Sequence, residues 1–283
     1  MTNPLVSTDW LAAHLDDPAV RVIDTRWYLL GPDKGREEYA RAHIPGAVFL
    51  SLDADLAAPV GEGPGRHPLP TSEAFATAMG RAGIGDETHV VAYDDVGGGI
   101  AGRLWWLLRY FGHDRVSLLD GGIAQWLKEG RPLTAAVLDV RPATLTPRPH
   151  PEWVVDQSAV AQLAADPQTL LLDVRAPERY RGETEPVDSR AGHIPGAKNA
   201  PLAGNLRGPD DLRLRDPDAL RERFHALGAD GAAQVVVYCG SGVNACQNIL
   251  ALQLAGYENV LLYEGSWSDW SRNPARPAAT GEE

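Results

Sequence analysis

The same unit is written twice along this chain, and the duplication limits the folds open to it. Val22-Ile23-Asp24-Thr25-Arg26 is echoed by Leu171-Leu172-Asp173-Val174-Arg175 at an offset of 149, and His43-Ile44-Pro45-Gly46-Ala47 by His193-Ile194-Pro195-Gly196-Ala197 at 150. Val90-Val91-Ala92-Tyr93-Asp94 matches Val235-Val236-Val237-Tyr238-Cys239 at 145, and Asp120-Gly121 with Trp126 matches Glu264-Gly265 with Trp270 at 144. Four echoes in one order mark a duplicated domain, because the period is far longer than that of a solenoid repeat. The drifting offset means that loop lengths differ between the copies.

At 283 residues the chain has room for two domains. Pro142, Pro147, Pro149 and Pro151 crowd the stretch between the copies and resist both helix and central strand. A first domain over 1–136, a linker over 137–153 and a second domain over 154–283 are therefore expected. The tail beyond Trp270, with Pro274 and Pro277, is expected to be irregular and partly frayed to its end at Glu283. Short apolar runs at 20–24, 88–93, 115–119, 170–173, 234–238 and 259–263 suit buried parallel strands. Helical stretches at 101–111 and 245–255 run up to Gly112 and Gly256, the expected stop residue. The fold class that follows is α/β, with a mostly parallel sheet in each copy.

The charge balance narrows the partners. With 26 basic against 38 acidic side chains the net charge is −12, which argues against nucleic acid and against an anionic membrane surface. A few arginines and backbone N–H groups converging in one cleft can still bind a small anion. Met1-Thr2-Asn3-Pro4-Leu5 lacks the basic and apolar regions of a secretory leader, and no run of 18 apolar residues is present. The two cysteines, Cys239 and Cys246, form neither a disulfide framework nor a zinc pattern. The expected location is cytoplasmic, with no metal. No nucleotide fingerprint or phosphate loop appears, so no cofactor is expected.

The chemistry concentrates in Tyr238-Cys239-Gly240-Ser241-Gly242-Val243-Asn244-Ala245-Cys246, a strand entering a Gly-rich turn and then a helix. Ligands of α/β sheets bind beyond the carboxyl ends of strands, which is where Cys239 falls. The glycines let successive N–H groups turn inward as an anion nest, and the helix adds its positive end. That setting suits a nucleophilic thiolate. An inert cysteine at a strand end is the competing reading, disfavoured by the Gly-x-Gly that follows. A phosphatase loop needs Arg six residues after the cysteine, and Ala245 stands there. For Cys246, core packing and a resolving thiol both remain open. In the first copy Asp94 occupies the cysteine's place, so that copy is expected to be catalytically silent.

The duplicated unit, the paired His-Ile-Pro-Gly-Ala motifs and the loop Cys-Gly-Ser-Gly-Val-x-Ala resemble the two-domain rhodanese-type sulfurtransferases. The resemblance covers nearly the whole chain, including Tyr93-Asp94-Asp95, residues 103–109 and Tyr263-Glu264-Gly265-Ser266-Trp267. It implies tandem rhodanese-like domains, each a mostly parallel sheet flanked by helices, and a Cys239 persulfide. Sulfane sulfur would pass from a small anionic donor to cyanide, a small thiol or a thioredoxin-like acceptor. The neutral Gly240-Ser241 resembles the 3-mercaptopyruvate sulfurtransferases, whereas thiosulfate-specific members carry cationic side chains after the cysteine. Thiosulfate is the alternative donor, and a persulfide relay to a specific protein acceptor is a further reading. A redox or arsenate/phosphate enzyme using both cysteines is disfavoured by Ala245.

The resemblance also assigns residues. Arg179 matches the arginine that binds the donor's anionic group, and Ser241 a hydroxyl in a proton relay. His43 and Asp33, from the first domain, are its implied partners across a cleft. The backbone at Gly240, Gly242, Val243 and Asn244 would cradle thiolate and donor. Asn244 stands where those enzymes usually have Thr, and Val187 where they have a second carboxylate-binding arginine, with Arg190 a candidate replacement. Because His43 and His193 recur in both copies, they point first to a turn-building role. Arg26 and Arg175, each following a strand-end Asp, point to structural ion pairs.

Overall fold

The computed structural model describes residues 2–31 and 33–282. Met1, where the leader reading began, and Glu283, the end of the expected frayed tail, lie outside the described residues. Contacts divide the chain into two compact units. The first holds 1–58, 70–150 and 207–214, and the second 59–69, 151–206 and 215–283. This division differs from one cut at a linker. Residues 137–150 pack with the first unit: Leu145 is buried, Ala143 N–H donates to Gly80 O at 3.0 Å, and Arg148 N–H donates to Phe111 O at 2.8 Å. Two short segments, 59–69 and 207–214, pack with the other copy's residues, which no hydrophobic periodicity announces.

The first unit runs β1 (Leu5–Val6), α1 (Thr8–Ala13), β2 (Val20–Asp24), α2 (Lys34–Arg41), β3 (Val48–Phe49), α3 (Leu52–Asp55), α4 (Ser72–Arg81), β4 (His89–Tyr93), α5 (Ala101–Tyr110), β5 (Val116–Leu119) and α6 (Gly122–Lys128). The second runs β6 (Val154–Val155), α7 (Gln157–Leu163), β7 (Thr169–Asp173), α8 (Pro177–Tyr180) and β8 (Lys198–Asn199). The chain then passes through the ribbon β9 (Leu206–Gly208) and β10 (Asp211–Leu214), of which 207–214 pack with the first unit, and resumes in the second with α9 (Pro217–Ala226), β11 (Gln234–Tyr238), α10 (Ala245–Leu254), β12 (Val260–Tyr263) and α11 (Ser266–Trp270). The sheet orders β1-β5-β4-β2-β3 and β6-β12-β11-β7-β8 are the same topology twice, with parallel pairings throughout. In the second sheet the chain steps from β7 outward to β8 and then returns to the other side of β7 as β11. The crevice beyond the carboxyl ends of β7 and β11 is thus the switch point of the sheet, where α/β folds bind ligands.

The central strands form from their apolar runs: Val235, Val236, Val237 and Tyr238 are all buried, as are Val90, Val91, Ala92 and Tyr93. The two-residue edge strands carry too few residues to show a period. Each repeated histidine is a fold element. His43 is fully buried, with Nδ1 bonded to Tyr39 O at 2.7 Å, Nε2 to Ala136 O at 3.2 Å, and its ring stacked on Tyr39. His193 repeats this with Tyr180 O at 2.8 Å and the Tyr180 ring. The turns after them need glycine, with φ of 78° at Gly46 and 81° at Gly196. His43, expected as a catalytic partner, lies inside the first unit with its ring nitrogens within hydrogen-bond distance of two backbone carbonyls. The tail is irregular as expected, but it is tied down rather than frayed through Gly281. Ala279 bridges His193, Trp270 Nε1 donates to Pro277 O at 2.7 Å, and Gly281 N–H donates to Arg181 O at 2.9 Å.

A buried carboxylate closes each central crevice. Asp24 accepts from Arg26 Nη2 at 2.6 Å and from the Tyr93 hydroxyl at 2.7 Å, while Arg26 Nη2 also donates to Ala42 O at 2.8 Å. In the second unit Asp173 accepts from Arg175 Nη2 at 2.6 Å, and Arg175 reaches Gly192 O at 2.6 Å and Glu185 at 3.2 Å. These are the structural ion pairs expected for Arg26 and Arg175. Removing one partner of a buried pair leaves an uncompensated charge. Asp173→Asn is expected to cost about 3–5 kcal/mol of unfolding free energy, read by urea denaturation. A loss below about 1 kcal/mol, the scale of a surface pair, would contradict this role.

Candidate active site

The site grows from the end of β11. Tyr238 lies beside Asp173 in the register, and Val174 N–H donates to Tyr238 O at 2.9 Å. Cys239 follows, 4% exposed. Its N–H donates to Ser266 Oγ at 3.1 Å, and its carbonyl accepts from Trp267 N–H at 3.0 Å. Ser266 sits at φ 53°, the one non-glycine residue with positive φ among the described residues. Its hydroxyl donates to Tyr263 O at 2.9 Å, which holds it there. Gly240 O accepts from Ser268 N–H at 2.9 Å. The cysteine loop is therefore stitched to the turn between β12 and α11.

Gly242 is required by this stitching. It has φ 77°, and a Cβ there would lie 2.5 Å from Glu264 O. Val243 is buried, and Asn244 is exposed at the N-terminal boundary of α10. Cys246 is fully buried, its Sγ 3.3 Å from Gly242 O, within the packed first turn of that helix. Among the described residues the N–H groups of Ser241, Val243 and Asn244 donate to no protein acceptor. The first copy displays what such a loop holds. There the Asp94 carboxylate accepts from the N–H groups of Val96, Gly98, Ile100 and Ala101 at 2.8–3.0 Å. Complete burial pushes the Asp94 carboxyl up from its ordinary range, against those four hydrogen bonds. The first copy's nest is filled by its own side chain.

Side chains from two other segments reach the loop. Ser241 Oγ and His67 Nδ1 are hydrogen-bonded at 2.7 Å, both residues being 7% exposed. Arg179, from α8 after β7, comes over Gly240: a Cβ placed there would lie 3.7 Å from its Nη1. The guanidinium is held by Glu185 at 2.6 Å and Asp188 at 3.2 Å. Burial pushes the Glu185 carboxyl up, but bonds from Arg179 and the N–H groups of Asp188 and Val187 outweigh it and hold it below its usual range. Asp188 is pushed up by burial against the pull of Arg66 and Arg179. Among the described residues no group of three His, Cys, Asp or Glu could hold a metal ion.

Of the expected site residues, the second unit brings together Cys239, Ser241, Arg179, Gly240, Gly242, Val243 and Asn244. Asp33 and His43 belong to the first unit. Asp33 is exposed at the start of α2, and its side chain makes no capping bond. The guanidinium of Arg190, the candidate replacement, is bonded to the carbonyls of Arg276 at 2.8 Å and Trp270 at 3.4 Å. Sequence reasoning missed His67 and Arg66. The available signal was an Arg-His pair inside a Gly/Pro-rich stretch that has no counterpart in the other copy.

A family model described as a rhodanese-like domain matches residues 7–129 and again 156–273. The chain belongs to the rhodanese family. It is 43% identical over 281 residues to a probable 3-mercaptopyruvate sulfurtransferase of Pseudomonas aeruginosa, covering 98% of each chain. It is 36% identical over 277 residues to the thiosulfate sulfurtransferase of Bos taurus, covering 94% of this chain and 91% of that one. Among solved structures it is similar to the 3-mercaptopyruvate sulfurtransferase SseA of Escherichia coli, with TM-score 0.82 and 35% identity over 94% of this chain and all of that one. This rhodanese is a sulfurtransferase, as these relatives are. The same rhodanese unit thus appears with a carboxylate in its first loop and a thiol in its second.

Gly242→Ala tests the loop geometry. A Cβ at positive φ against a backbone carbonyl is expected to lower stability by more than about 1 kcal/mol and to cut turnover together with it. Wild-type stability and turnover in Gly242→Ala would contradict the fit.

Proposed function

We propose that this rhodanese takes sulfane sulfur from 3-mercaptopyruvate onto Cys239 and passes it to cyanide or a thiol. The Cys239 thiolate attacks the donor's sulfur, a sulfur–sulfur bond forms, and the donor's carbon–sulfur pair leaves as the enolate of pyruvate. The proton released from the donor's thiol returns to that enolate carbon, so the products are a Cys239 persulfide anion and pyruvate. Cyanide then takes the outer sulfur as thiocyanate and restores the thiolate. The loop N–H groups and the start of α10 balance the charge of each anion in turn.

The observation that carries the choice of donor is the buried Ser241–His67 hydrogen bond in the cysteine loop. An enolate leaving group needs a proton, and a hydroxyl backed by an imidazole is suited to moving one. Sulfite leaving from thiosulfate needs none. Arg179 anchors the donor's carboxylate by a charge-assisted pair. Thiosulfate remains a second reading, favoured by Arg66, a second guanidinium near Gly240. The chemistry needs a reduced Cys239, which suits the cytoplasm. No helix among the described residues is long and apolar enough to cross a membrane. Thioredoxin-like acceptors fit the proposal as well as small thiols do.

The test is kcat/KM for both donors with cyanide as acceptor. Cys239→Ser is expected to abolish both activities. His67→Gln is expected to lower kcat with 3-mercaptopyruvate by about 10²–10⁴, while leaving thiosulfate turnover far less affected. Activity persisting in Cys239→Ser would overturn the mechanism, and equal losses for both donors in His67→Gln would overturn the relay.

A further inference from the structure

Val187 leaves the site one arginine short of what the resemblance implied, yet a second guanidinium is present. A Cβ on Gly240 would lie 3.0 Å from Arg66 Nη2, closer than Arg179. Arg66 arrives on the segment 59–69, which packs with the second unit. Its N–H donates to Ser268 Oγ at 3.1 Å, and Leu69 N–H donates to Glu264 at 3.2 Å, so the segment is anchored to the turn that also holds Cys239. Arg66 Nη1 is paired with Asp188, and its Nε is buried with no hydrogen-bond partner. The guanidinium thus turns Nη2 toward Gly240 of the cysteine loop while Nη1 is taken by Asp188.

The local charges nearly cancel. Arg175 is taken up by Asp173 and also faces Glu185. The two guanidiniums over Gly240 face two carboxylates, Glu185 and Asp188, each 4% exposed. Asp188 is the shared one, with Oδ1 on Arg66 and Oδ2 on Arg179. A partly desolvated site demands compensation for each negative charge a ligand brings. A neutral loop plus a balanced pair of ion pairs meets a single charge better than two.

We propose that Arg66 is the second donor-binding cation of this site, and that Asp188, by pairing with it, restricts the site to singly charged sulfur donors. This rests on the reading of the Cys239 loop as the donor site. It also explains how a loop without cationic side chains has a cation above it. A purely structural pin between Arg66 and Asp188 predicts something else: its loss weakens all ligands alike.

The experiment is calorimetric titration of the Cys239→Ser protein with thiosulfate and, separately, with pyruvate, so that no sulfur is transferred. Adding Asp188→Asn is expected to raise the affinity for thiosulfate relative to pyruvate by about tenfold, and adding Arg66→Gln to that protein is expected to remove the gain. Arg66→Gln alone, which leaves Asp188 paired with Arg179 only, is expected to lower the same ratio, and Arg66→Lys to restore most of it. This arm decides the matter even if Asp188→Asn fails to fold. A ratio unmoved by either variant, or a gain that survives the loss of Arg66, overturns the proposal. Because binding alone is read, a wild-type enzyme that turned over neither donor would overturn the donor reading above without touching this result.

Discussion

One buried carboxylate fixes where the sulfur chemistry can happen. Asp173, at the end of β7, binds the Arg175 guanidinium and the Tyr238 hydroxyl. Arg175 carries the constraint to Gly192 O, just before His193, and Tyr238 accepts from Ile194 N–H at 3.1 Å. Three segments distant in sequence are thereby clamped: β7, the His-Ile-Pro-Gly-Ala turn and β11. Tyr238 is the residue before Cys239, so the same clamp sets the height of the nucleophile above the sheet. Desolvation and the Asp173 charge drive the Tyr238 hydroxyl far above its ordinary range, which keeps it a hydrogen-bond donor at any working pH.

The first copy uses the same clamp, with Asp24, Arg26 and Tyr93, and the same strand-to-helix turn, but closes the turn on itself. A carboxylate is short, charged and unable to carry sulfur. Held by four N–H groups, the Asp94 carboxyl group fills the nest. Its burial is tolerable because each hydrogen bond to a charged acceptor offsets part of the desolvation cost. Exchanging that one residue type for cysteine leaves the nest's donors for a ligand. The two copies of a single architecture thus differ in what stands at the end of the central strand, a carboxylate in one and a thiol in the other.

Much of this was legible in the sequence because the central strands are buried on both faces. Runs such as 234–238 need no alternation to be recognised, and the predicted strand matches β11 to the residue. The helices at 101–111 and 245–255 were likewise visible, each one residue longer than α5 and α10. Cys239, Ser241 and Arg179 were singled out from loop chemistry and the resemblance, and the fold brings them together. What was not legible is non-local. Residues 59–69 have no periodicity, and only the folded contacts show that Arg66 and His67 belong to the reactive copy. The surroundings of His43 were hidden as well: its ring lies against two carbonyls and stacks on Tyr39, contacts that a motif cannot distinguish from catalysis.

The proposed sulfur transfer depends on Cys239 carrying the sulfur. A single turnover of the full-length protein with 3-mercaptopyruvate, without an acceptor, followed by intact-mass and peptide mapping, tests that most directly. The account predicts one added sulfur atom on the peptide containing Cys239, released as thiocyanate when cyanide is supplied. Sulfur appearing on Cys246 instead, or pyruvate formed with no sulfur on the protein, would contradict it.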